Sequence, residues 1–230
     1  MLLAIDTSTA AASVALYDGR VLAEATWIAG QDHSRQLLPR IDDMLSSARV
    51  SKADLSALGV AIGPGSFNGL RVGIATAKAI AFARGLPILG LETLRATAYQ
   101  FRTSDRPVRP LYDAGRHEVA TGLYRPSDWH VTTLEEPRIA TLDVALAASP
   151  PTTLFCGEIQ TTWRERIADR FGPDALIRPA EEPRRAGYLA ELVWQLLGEG
   201  LRDDAATLQP IYLRRPPVSV AASTAGVAPR

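Results

Sequence analysis

Residues 63–73, GPGSFNGLRVG, decide how this chain is read. They hold four glycines and one proline, with the apolar run LGVAI (58–62) before them and the alanine-rich segment IATAKAIAFAR (74–84) after them. That order is strand, tight turn, helix. Pro64 fixes its own φ, and Gly63, Gly65 and Gly69 permit dihedrals or close approaches that a Cβ would block. Ser66 or Asn68 is placed to cap the following helix, about 68–84, and Gly85 to end it. Within that helix Gly69, Gly73, Ala77 and Ala81 form one i,i+4 stripe of small residues, and Ala75, Ala79 and Phe82 form a neighbouring one.

Outward from this turn, the preceding chain reads as MLLAIDTS (1–8), ASVALYD (12–18) and VLAEATW (21–27), an antiparallel meander turning at Asp18-Gly19. A first helix is expected over 34–48, with Leu37, Leu38, Ile41, Met44 and Leu45 at helical spacing. After the second helix come a strand at 88–91 and a short helix over 92–100. Residues 1–104 thus form an α/β unit with a mixed sheet. The polar stretch 101–107 is the expected linker to a smaller α/β unit, 105–217. There the pattern predicts a hairpin from 108–115 and 118–124, a strand at 130–134 and a helix at 142–148. A strand at 153–157 and helices at 161–171 and 187–197 follow. Two such halves suit a duplicated fold. Residues 218–230, small and aperiodic, are expected to be a disordered tail.

Composition narrows the function. Nearly half of the 230 residues are hydrophobic, enough for a core, and the formal net charge is zero, which gives no general attraction to nucleic acid or anionic membrane. No apolar run approaches the length of a membrane span, and the N-terminal apolar stretch lacks a signal peptide's basic flank, so a cytoplasmic protein is expected. The single cysteine, Cys156, permits no internal disulfide.

Each chemical motif has a plainer reading. GPGSFNG at a helix start resembles a phosphate cradle, but Asn68-Gly69-Leu70 stands where a P-loop needs Lys-Ser/Thr, and the spacing is not that of a dinucleotide fingerprint. Tight packing of the turn is the stronger reading. Asp6, Thr7 and Ser8 end the first strand, where nucleotide-binding α/β proteins of the actin and sugar-kinase type hold an acidic residue near metal and phosphate; an Asx-turn explains them equally well. They are the cofactor-binding candidates of an alternative reading, an actin-like ATPase or small-molecule kinase. His33, His117 and His130 form no close pair, so no metal site is expected. Ser66 is not in a nucleophile elbow, Cys156 reads as a small buried hydrophobe, and no hydrolytic set emerges. The two helices instead suggest half of a four-helix interface with a partner, using Leu37, Ile41, Met44, Leu45, Gly69, Leu70, Gly73, Ala77 and Ala81.

Three stretches together, LLAIDTSTAAASVAL (2–16), DHSRQLLPRI (32–41) and GPGSFNGLRVGIATAKAIAF (63–82), resemble the bacterial TsaB family, also called YeaZ. Asp113 with Arg116, Glu118 and Val119, the Gly157 turn and PIYLR (210–214) support the match. Asn68 stands where the family usually has threonine, and DAGRHEV departs mildly from its DARR-like run. The resemblance implies an actin-like, ribonuclease-H-like fold of two α/β domains with mixed sheets. It implies no catalysis and no cofactor. The family supports a TsaD catalytic subunit that transfers threonylcarbamoyl to N6 of adenosine 37 in tRNAs reading ANN codons, with a TsaE ATPase joining them. It also implies that the first two helices bind TsaD or, alone, a second copy, and that tRNA is met through the complex. TsaD's spaced histidine pair has no counterpart here, and an older view of such proteins as glycoproteases finds no support in the chain.

Overall fold

In a computed structural model, which describes residues 1–214, the glycine-rich turn joins the fourth strand of a mixed sheet to a long helix. The tail expectation for 218–230 lies outside the described residues. In chain order the first half comprises β1 (Leu2–Asp6), β2 (Ala11–Tyr17), β3 (Val21–Ile28), α1 (His33–Ser47), β4 (Ala57–Ala61), α2 (Phe67–Arg84), β5 (Ile88–Leu91) and α3 (Thr93–Tyr99). The second comprises β6 (Val108–Asp113), β7 (Glu118–Ser127), β8 (His130–Thr141), α4 (Leu142–Ala147), β9 (Leu154–Gly157), α5 (Thr161–Phe171) and α6 (Ala186–Gly198).

The first sheet has the order β3-β2-β1-β4-β5; β2 runs antiparallel to both its neighbours, and β1, β4 and β5 are parallel. The second has the order β8-β7-β6-β9, again a meander followed by a parallel strand beside its first member. The first four strands of the first sheet are therefore repeated in topology by the second, and the whole is an actin-like, ribonuclease-H-like fold. β1 lies centrally and is buried on both faces, which is why LLAI reads as an unbroken apolar run rather than an alternation.

Leu3 and Ile5 of β1 face α1 and α2, in a core with Leu37, Ile41, Met44, Leu45, Leu70, Ile74, Ala77 and Ala81. Leu2 and Ala4 face the other way, into a core shared with α3, α6 and the second sheet's Tyr112 and Tyr124. On that second sheet's far side, Leu111, Val119 and Phe155 pack under α4 and α5. The inner helices are exchanged between the halves: α6 covers the first sheet, while α3 lies against the second.

Two strands run past their expected ends: β7, expected to stop at 124, continues to Ser127, and β8 is longer still. The strand expected at 130–134 runs to Thr141. Pro137 obscures it, yet β8 is an edge strand and its register against β7 shifts at Thr121/Leu123, so the missing N–H interrupts nothing.

Candidate functional site

The end of β1, the turn after it and the glycine loop form one packed unit. Ser66 N donates to Ser8 O at 2.6 Å, and Thr7 Oγ1 donates to Gly69 O at 2.7 Å. Three glycines make the approach possible. A Cβ on Gly65 or Gly69 would fall well inside 3.0 Å of the backbone oxygens of Ser8 and Thr7, and one on Gly73 equally close to Thr7 Oγ1. Ser66 caps α2, its hydroxyl accepting from Gly69 N at 3.3 Å, and Gly85 closes the helix at φ 62°. The glycines thus serve contact with residues 7 and 8 of the same chain.

Asp6, Thr7 and Ser8 are brought together here, but each is spent inside the protein. Asp6 is 3% exposed. Its Oδ1 accepts from the backbone N and the hydroxyl of Ser8, and its Oδ2 from Arg184 Nε at 2.8 Å. Arg184 is 5% exposed and comes from the segment before α6. Its Nη1 donates to Thr9 Oγ1 (2.9 Å) and Glu158 Oε1 (3.1 Å), its Nη2 donates to Ala11 O (2.9 Å), and the guanidinium lies over the Tyr112 ring. Burial pushes the Asp6 carboxyl up, but the charge and hydrogen bonds of Arg184 and the bonds from Ser8 outweigh it and hold it below the ordinary value. Burial likewise works against the Arg184 charge, and Asp6 more than restores it. Nothing in the sequence marks Arg184: it stands in the polar run EEPRR, and Asp6 is far away in the chain.

Beside this unit lies a cavity of about 640 Å³ between the two sheets, bounded by Thr9, Pro64, Phe67, Tyr112, Glu158 and the extended segment at 211–214. That segment is held by Ile211 N donating to Ile62 O at 2.7 Å, by Tyr212 stacking on Phe67, and by Arg214 paired with Glu118.

The remaining candidates are accounted for by packing. His33 is buried with Nε2 2.8 Å from Thr9 O. Cys156 is buried in β9, where burial pushes its thiol up and away from reactivity. Among the described residues no three His, Cys, Asp or Glu side chains are grouped so as to hold a metal ion.

The two helices require a correction. All nine residues read as a partner surface, Leu37, Ile41, Met44, Leu45, Gly69, Leu70, Gly73, Ala77 and Ala81, are buried within the chain. The small stripe on α2 lets that helix close onto β1 and the residues after it, so it presents nothing outward. The neighbouring stripe does. Ala75, Ala79, Phe82 and Ala83 are exposed and Val72 and Thr76 half-buried, all on the side of α2 away from the sheet; Phe82 is 84% exposed, and Leu38 on α1 53%. No acidic residue occurs in α2. Its three charged side chains turn back onto the chain: Arg71 onto Phe67 and Tyr212, Lys78 to Ala206 O and Leu208 O, and Arg84 to Lys52 O and Ala53 O. An uncharged strip is left open.

Comparisons with known proteins identify the family and match the fold. A family model described as TsaD, tRNA N6-adenosine threonylcarbamoyltransferase, matches residues 26–157, more than half of the chain. The tRNA threonylcarbamoyladenosine biosynthesis protein TsaB of Bacillus subtilis is 29% identical over 221 residues, 93% of each protein. The protein of the same name from Escherichia coli is 37% identical over 135 residues, 56% of this chain and 58% of that one. The solved structure of YeaZ from Pseudomonas aeruginosa superposes with a TM-score of 0.78 at 26% identity, over 92% of this chain and 99% of that one. A second structure, described as an uncharacterized protein with similarity to peptidase YEAZ from Pseudomonas aeruginosa, gives the same TM-score at 27% identity, over 93% and 99%.

Proposed function

This chain belongs to the family of that threonylcarbamoyltransferase model, in its TsaB/YeaZ branch, and on that premise we propose that it works as a companion subunit in threonylcarbamoyl-adenosine formation on tRNA. Its part is to bind and support a TsaD-like catalytic subunit, with a TsaE-like ATPase joining the pair, and to meet tRNA through that complex. It contributes no catalytic residue of its own, needs no cofactor, acts in the cytoplasm and pairs with a second copy when the partner is absent.

The observation that carries this reading is the uncharged outer strip of α2, Val72, Ala75, Ala79 and Phe82, with Leu38 of α1 as a further exposed apolar residue. Association of such a strip removes apolar surface from water at roughly 25 cal/mol per Å², and bundling two helices from each protein is a common way to do so. The alternative reading, an ATPase or kinase centred on Asp6-Thr7-Ser8, is not favoured: Asp6 is neutralised by Arg184, and both hydroxyls donate to acceptors within the chain.

The test uses outward residues. Ala79→Glu and Phe82→Asp are expected to keep the wild-type circular dichroism and melting temperature while weakening capture of a TsaD-like subunit at least tenfold, and to abolish self-association. Undiminished capture by both variants contradicts the reading. Replacing Gly73 or Ala77 with a large residue does not serve this purpose, because both sit against the chain's own sheet.

A further inference from the structure

Three segments aim oxygen atoms at one point. The carboxylate of Asp6 comes from the end of β1, Thr9 Oγ1 and Ala11 O from the turn into β2, and Glu158 Oε1 from the turn after β9 on the other sheet; Tyr112 of β6 supplies a ring face. Two carboxylates, a hydroxyl and a carbonyl are the donor set of a hard cation. The point is already filled. The Arg184 guanidinium directs Nε, Nη1 and Nη2 at all four donors at 2.8 to 3.1 Å and is shielded from solvent on all sides. The Asp6 carboxylate is buried and needs a countercharge, which the chain supplies; Glu158, 41% exposed at its side chain, meets the same guanidinium from the rim.

We propose that Arg184 is a built-in cation: its guanidinium occupies, from within the chain, an oxygen-lined position that ties the end of β1 to the turn after β9, so that the two sheets are joined without any exchangeable ion. The arrangement has two consequences. The joint is permanent, because its cation cannot dissociate, and the position is closed to metal ions and to metal-bound phosphates. A fixed geometry suits a chain whose outer helices must stay correctly presented, but the inference rests on the Arg184 contacts alone and stands or falls apart from the partner reading.

Cation replacement tests it. Arg184→Ala is expected to melt about 10 °C lower than wild type, as for a broken buried pair in a domain of this size. Millimolar Mg²⁺, Mn²⁺ or methylguanidinium should restore at least half of that loss, whereas sodium chloride of equal ionic strength should not. In the unaltered chain about 10 mM Mg²⁺ or Mn²⁺, with or without ATP, should move the melting temperature by less than about 1 °C and leave hydrogen exchange across residues 6–13 unchanged. An Arg184→Ala chain that none of these cations restores, or one as stable as wild type, overturns the proposal. If that variant does not fold, the wild-type arm still decides: stabilisation of the unaltered chain by a divalent ion means the position is open and the proposal wrong.

Discussion

At Gly73 the added Cβ would meet the side-chain oxygen of Thr7, whereas at Gly69 it would meet the Thr7 backbone oxygen. The two glycines should therefore respond differently to one relieving change. Each single substitution to alanine is expected to cost about 1–3 kcal/mol, the usual penalty of overpacking. Thr7→Ala removes the obstacle at Gly73 but not at Gly69. A double-mutant cycle by urea unfolding should give a favourable coupling for Thr7→Ala with Gly73→Ala, and little for Thr7→Ala with Gly69→Ala. Asp6 makes a prediction in pH. Its folded carboxyl lies below the ordinary value, so the native state releases that proton more readily than the unfolded chain. The stabilisation is complete above the unfolded pKa, near 4, and is lost as pH falls through the folded value. The groups that face it are Arg184, Glu158, Ser8 and Tyr112. Glu92 has the opposite sign: burial pushes its carboxyl up despite the hydrogen bond from Tyr124, so it gives back stability on acidification. The difference between wild type and Asp6→Asn isolates the first effect, and it should shrink steadily below about pH 4. A difference independent of pH from 7 down to 2 contradicts the assignment.

At the scale of the element, α2 shows what a sequence pattern yields and where it misleads. The helix, its Ser66 cap and its Gly85 end follow from residue type. The small stripe at 69, 73, 77 and 81 signals a close approach, and the approach is real, but spacing alone does not say to what. Two stripes were visible, and the one lined with glycine turned inward because β1 ends beneath it. The stripe through Ala75, Ala79 and Phe82 is the one that faces outward, with Phe82 84% exposed. Arg184 was illegible for a different reason. Its partners lie at positions 6, 9, 11 and 158, and no local pattern encodes the meeting of residues 6–11, 158 and 184. β8 continues through Pro137 because proline is tolerated in an edge strand, and a local pattern does not tell an edge strand from a central one.

For the whole molecule, the antiparallel strands that open each half are legible, because turn residues and apolar runs mark them locally, whereas the parallel pairing of β4 with β1 and of β9 with β6 joins strands far apart in the chain. The exchange of α3 and α6 is not legible either. A cut at 104/105 follows the polar linker, yet Leu189, Leu192 and Val193 of α6 share a core with Leu2, Ala4 and Ala15 of the first sheet. Residues 1–104 expressed alone are therefore expected to lack cooperative unfolding and to expose the face that α6 covers. Adding a peptide spanning 184–200 should restore part of the signal, and a sharp melting transition of 1–104 by itself would show that the first sheet does not need α6. The central claim is that the intact chain is a companion whose outer α2 face makes a separate catalytic subunit effective. Its most direct measurement is threonylcarbamoyl transfer to tRNA by purified TsaD-like and TsaE-like subunits, with no addition, with this chain, or with its Phe82→Asp variant. The account predicts transfer only when the wild-type chain is added, and none from the chain by itself. Equal transfer without it, or undiminished support from the Phe82→Asp variant, would contradict it.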